Sequence, residues 1–269
     1  MRWNQLPLLV GCAVALLPAA RAGDPAASGV GITEATEYGR ALLPPTADHP
    51  VYVAVHSGGQ HDFGQIPAGE ANLSAEAIEP TLAGALGRQH YLPADASHAP
   101  SLLIVYNWGT HCALSGNTGD ATYRNLYDRA TLVGGDRFSG ELKDAIDKTI
   151  SATGSISNQP WGPRMPGMGA QTPAQLMDAS SPIEMFRKRD PLNRRLMEQV
   201  AEDCYYVVIS AFDYSTVTTE KKRLLWRTKL STTTRHVSMA KAVPALIDDG
   251  AHYLGRPMDN AEFFADRTN

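Results

Sequence analysis

Two short segments hold the side chains best suited to chemistry. His56-Ser57-Gly58-Gly59-Gln60-His61-Asp62 follows one β-branched run, and Asn107-Trp108-Gly109-Thr110-His111-Cys112 follows another. Imidazole, carboxylate and thiolate are the ligand types of zinc and copper, so His56, His61, Asp62 and His111 form a candidate metal set. No family spacing such as His-Glu-x-x-His accompanies them. Cys112 beside His56 or His61 has the makings of an activated thiol, because a thiolate needs a neighbouring base or positive charge. A second role competes with that one. Cys112 and Cys204 are the two cysteines left if a leader containing Cys12 is removed. An even number of cysteines in an oxidising compartment points to a disulfide, with two buried thiols as the alternative. Gly58-Gly59 is not followed by the spacing of a phosphate loop, and neither Ser57 nor Ser210 lies in a Gly-x-Ser-x-Gly elbow.

The elements that must position these residues are legible from periodicity. Val51-Tyr52-Val53-Ala54-Val55 predicts a strand, Ile78 to Tyr91 a helix with Ile78, Leu82, Ala85 and Leu86 on one face, and Leu102 to Tyr106 a central strand. Strand, helix and strand in this order form a right-handed crossover with parallel strands. Their carboxyl ends then share one sheet edge, the edge where ligands bind in open α/β sheets. That edge gathers His56, His61, Asp62, His111 and Cys112. Thr122 to Val133 and Ser139 to Ile150 read as two helices separated by Gly134-Gly135. Asp190-Pro191 opens another, striped by Leu192, Leu196 and Val200.

Tyr205 to Phe212 and Leu224 to Leu230 predict an antiparallel hairpin, with Leu224, Trp226, Thr228 and Leu230 on one face and Arg227 and Lys229 on the other. If that hairpin lies beside Leu102–Tyr106, Cys204 begins where the strand of Cys112 ends. A last helix over Met239–Leu254 carries a kink or a start at Pro244. The sum is a mixed α/β fold: a mixed sheet of about four strands with a β-α-β unit, a C-terminal antiparallel hairpin and flanking helices.

At the N-terminus, Leu6 to Leu17 is an apolar run behind a basic head, and Ala20-Arg21-Ala22 supplies a small-x-small cleavage pattern. Residues 1–22 therefore read as a secretory signal. Leu9-Val10-Gly11-Cys12 also fits a lipobox, which would place a lipid anchor on Cys12. Arg2 and Arg21 are the only charges in that segment, so its removal takes the net charge from −4 to −6. That balance argues against a nucleic-acid partner and gives no reason to expect adsorption to an anionic bilayer. Residues 23–49, rich in Ala, Gly, Pro and Thr, read as a linker or disordered arm. Residues 50–255 read as a single domain, 151–182 as a flexible Met- and Pro-rich insertion within it, and 256–269 as a tail.

Ala99-Pro100-Ser101-Leu102-Leu103-Ile104-Val105-Tyr106, Tyr205–Ser210 and Leu225-Trp226-Arg227 resemble strands of small exported proteins and lipoproteins of Gram-negative bacteria classed as domains of unknown function. The resemblance covers about half of the chain beyond the leader. This sequence has His90-Tyr91 where that group has Gly-Tyr, and Pro100-Ser101 where it has Ala-Asp. The likeness implies an envelope protein with a mixed α/β domain and transfers no active site. The expectation is a non-catalytic periplasmic or secreted protein that binds an envelope partner or small ligand. The alternative is an exported metal-binding protein or metal-dependent enzyme built on the histidine rim.

Overall fold

The computed structural model describes residues 28–64, 72–112, 120–152, 182–219, 221–235 and 237–265. Thirteen elements follow in chain order: β1 (Ser28–Ala35), α1 (Glu37–Arg40), β2 (Val51–Gln60), α2 (Ala75–Arg88), β3 (Tyr91–Pro93), β4 (Leu102–His111), α3 (Asp120–Ala152), α4 (Pro182–Arg189), α5 (Pro191–Ala201), β5 (Cys204–Asp213), β6 (Leu224–Thr233), α6 (Met239–Asp249) and β7 (Glu262–Ala265). The strands form one mixed sheet in the order β3-β2-β4-β5-β6-β1-β7. β2 runs parallel to β3 and β4, and the other pairings between these strands are antiparallel. The crossover through α2 and the β5–β6 hairpin are thus both present. No helix among the described residues is long and apolar enough to cross a membrane.

Alternation along the central strands divides the core between two faces. Ile104, Tyr106 and Trp108 of β4 share a face with Val207 and Ile209 of β5 and Trp226 of β6, against Ile78, Leu82 and Leu86 of α2 and Val243 and Ile247 of α6. On the other face, Val30 and Ile32 of β1 pack with Val133 and Leu142 of α3, Phe186 of α4 and Leu196 of α5. Asp190 caps α5 as its type predicts, accepting from the Leu192 N–H at 2.7 Å ahead of Pro191.

α3 contains the expected break at the glycine pair. Gly135 has φ +85°, outside the helical region, and splits the helix in two. Glu34 of β1 holds the break: its Oε1 accepts from the Asp136 N–H, capping the second half. Lys229 of β6, 3% exposed, closes the arrangement with contacts of 2.6 Å to Glu34 and 2.7 Å to Asp136. The face that carries Arg227 and Lys229 is therefore covered by a helix at this point, and a lysine is tolerated there because both carboxylates neutralise it.

The sheet has seven strands where about four were expected. Residues 28–35, expected to belong to a linker arm, form β1 between β6 and β7, and the expected C-terminal tail supplies β7. Both ends of the expected insertion are helical: α3 continues through Ala152, and α4 starts at Pro182 and buries Ile183 and Phe186. α2 starts at Ala75 behind Ser74, so Pro80 lies on its exposed surface inside the helix and not at its first turn. The segment read as a signal, Cys12 within it, and residues 153–181 of the insertion lie outside the described residues.

Candidate functional site

The parallel pairing expected of β2 and β4 runs from Val53 opposite Leu102 to Gln60 opposite Trp108. Both strands extend beyond their apolar runs, so residues 56–60 and 107–111 are themselves strand, and His61, Asp62 and Cys112 follow directly at the same edge. The glycine pair is a bulge in that pairing. Register slips between Ser57 and Gly59, Gly59 has φ +90°, and a Cβ on Gly58 would lie 2.3 Å from the Asn107 side chain.

Past the bulge the chain stays paired, with Phe63 N–H donating to the Thr110 carbonyl and Cys112 N–H to the Phe63 carbonyl, each at 2.8 Å. Asp62 is fully engaged: Oδ1 accepts from the Thr110 N–H and hydroxyl, and Oδ2 from Gln60 Nε2, all at 2.8 Å. The Tyr206 hydroxyl donates to the His61 carbonyl at 2.6 Å.

The histidines do not converge. His56 is exposed at mid-strand opposite Val105, and His61 turns its Nε2 to the Gly58 carbonyl at 3.0 Å. His111 is 2% exposed, its ring stacked on Phe63 with centroids 5.2 Å apart, and its Nδ1 has no hydrogen-bond partner among the described residues. Burial first, and then the positive charge of Arg129, lower its pKa to about 4. Among the described residues no three His, Cys, Asp or Glu side chains are grouped to hold a metal ion. The expected zinc or copper set of His56, His61, Asp62 and His111 is therefore one edge without a common centre.

Of the two alternatives for Cys112 and Cys204, a bridge or two buried thiols, the structure has the second: both are free and buried. The register supplies the reason. Cys204 lies opposite His111, and its Sγ donates to the His111 carbonyl at 3.7 Å. Cys112 is one residue further on, and successive residues of a strand face opposite ways. Burial raises the Cys112 thiol and pushes Cys204 to about 12, the reverse of what activates a nucleophile. Arg129, itself buried, lies among these groups with its guanidinium donating to the Glu202 carbonyl at 3.0 Å.

At the amino ends of the same strands the sheet opens into a cleft of about 890 Å³. Buried Trp226 and Tyr91 form its base, their ring centroids 5.8 Å apart. Burial pushes the Tyr91 hydroxyl up to about 12, with a hydrogen bond to Trp226 opposing it. Val51 and Leu102 begin β2 and β4 at its wall, and Tyr38, Leu42 and Leu43, from α1 and the loop after it, form an apolar lip. No protein-family model matches the chain, and no curated protein shows significant similarity to it.

The lip and the far wall come from segments that periodicity assigned to a linker and a tail. The signal in the first was composition. Tyr38, Leu42 and Leu43 are large apolar residues in a stretch otherwise read as solvated, and they are exposed by 60%, 50% and 87%. In the second, Arg256 and Pro257 line the cleft directly after Gly255, whose φ of +71° turns the chain there.

Proposed function

We propose that this is an exported, non-catalytic binding protein whose small-molecule ligand occupies the cleft at the amino ends of β2 and β4. Export rests on the sequence of residues 1–22. Binding rests on one observation: an 890 Å³ cleft with a buried aromatic base and an exposed apolar lip, within the usual range for small-molecule sites of about 300–1,000 Å³. At the other edge, the engaged Asp62 carboxylate and the raised thiols favour a structural role for that edge over turnover.

The neutral fluorescent probe N-phenyl-1-naphthylamine tests the reading. We expect saturable binding of one probe per chain, abolished by Val51→Trp/Ser101→Trp, which places two indoles at the cleft lining, one at the start of β2 and one just before β4. Leu42→Glu/Leu43→Glu, on an exposed lip that cannot unfold the core, should weaken binding as well. Absence of saturable binding, or binding indifferent to both variants, overturns the reading.

A further inference from the structure

The cleft's charge is opposite to that of the chain. Arg40 ends α1, Arg88 ends α2, Arg223 leads into β6 and Arg256 follows the turn after α6. These four guanidinium-bearing residues come from four separate segments onto one cavity. Among the described residues Asp213 is the single carboxylate in its lining, although the chain carries a net charge of −4. Two of the four arginines are already committed. Arg88 pairs with Asp248 at 2.6 Å, and Arg223 pairs with Asp213 at 3.1 Å while lying over the Tyr38 ring at 4.7 Å. Asp213 is further occupied by the Ser215 N–H and hydroxyl. Arg40 and Arg256 have no ion pair among the described residues.

A guanidinium presents a planar fork of donors that matches a carboxylate, sulfonate or phosphate, and an electropositive cleft in an acidic protein concentrates anions near it. Arginines alone would specify only charge. Here they border an aromatic base and the Leu42-Leu43 lip, so the site has a polar and an apolar requirement side by side. Resting on the cleft reading above, we infer that the ligand is a small amphiphilic anion, with an apolar body seated toward Trp226 and one acidic group held by Arg40 and Arg256.

A matched pair of probes tests this. 1-Anilinonaphthalene-8-sulfonate has the ring system of N-phenyl-1-naphthylamine with an added sulfonate. At low ionic strength the sulfonate probe should bind about tenfold more tightly than the neutral one, as a charge-assisted contact of ordinary strength would provide. The advantage should shrink with added salt. Arg40→Ala/Arg256→Ala should erase it, so that the variant binds the two probes with equal affinity, and Arg40→Lys/Arg256→Lys should restore part of it. Equal affinity of the wild type for the two probes, or an advantage that survives Arg40→Ala/Arg256→Ala, overturns the inference and leaves the cleft reading standing. Failure of the neutral probe removes both. Displacement of the sulfonate probe by dodecanoate assigns the apolar body to an acyl chain, and displacement by 2-naphthoate assigns it to an aromatic ring. Equal displacement by methyl dodecanoate or methyl 2-naphthoate contradicts the role of the acidic group.

Discussion

At the carboxyl ends of β2 and β4 the Asp62, Tyr206 and Cys204 side chains are directed at neighbouring groups of the fold, whereas at the amino ends Arg40 and Arg256 border a cavity. Asp62 holds Thr110 and Gln60, Tyr206 holds the His61 carbonyl, and Cys204 donates to the His111 carbonyl. At the other end Arg40 and Arg256 have no ionic partner among the described residues, and Leu42 and Leu43 stay exposed. A list of reactive residue types favours the first end. Accounting for where each donor and acceptor is directed favours the second, because a group already satisfied within the fold has less to offer a ligand.

That contrast can be broken most decisively at the cleft. Val51→Trp/Ser101→Trp should abolish probe binding while the protein still unfolds cooperatively in urea; retained binding would erase the distinction between the ends. The next largest effect belongs to His111. Its folded-state pKa of about 4 lies below the ordinary 6.5, so the unfolded chain takes up the proton first as pH falls. The resulting stabilisation is whole above pH 6.5, declines between 6.5 and about 4, and is absent below, a loss of roughly 3 kcal/mol. Urea unfolding of the wild type and His111→Phe at pH 7.5 and pH 4.5 measures it, and the variant should show the shallower dependence.

Asp62→Ala should cost about 2 kcal/mol by leaving the Thr110 N–H and hydroxyl without their acceptor, with probe affinity at the far cleft unchanged within about twofold. Denaturation midpoint and probe titration on the same sample check both halves. The smallest effect is at the lip. Leu42→Ser/Leu43→Ser should leave stability within about 0.5 kcal/mol, since both residues are exposed, yet weaken probe binding several-fold.

The parallel β2–β4 pair, the β5–β6 hairpin, the capped α5 and the break at Gly134-Gly135 were legible because each carries a local signal, whether periodicity, an N-cap or a glycine that helix geometry rejects. β1 was not. Its sequence, Ser-Gly-Val-Gly-Ile-Thr-Glu-Ala, includes two glycines that weaken any strand reading, and their reason lies elsewhere in the chain. A Cβ on Gly29 would meet Phe264, and one on Gly31 would meet Tyr253. β3 and β7 span three and four residues, too few for alternation to register.

The rim was found by residue type and strand order, but whether its histidines share a centre depends on strand faces and on the bulge at Gly58. The cleft was missed because no single segment contains it. Its residues are contributed by α1, α2, the β5–β6 connection and the chain after α6, and each segment taken alone reads as surface.

Backbone amide exchange, with and without saturating 1-anilinonaphthalene-8-sulfonate, puts both ends of the sheet in one experiment. Slower exchange is expected in residues 38–43 and 252–256, with no change in residues 60–63 and 109–112. Protection concentrated at 60–63 and 109–112, with the cleft segments unaffected, would contradict this expectation.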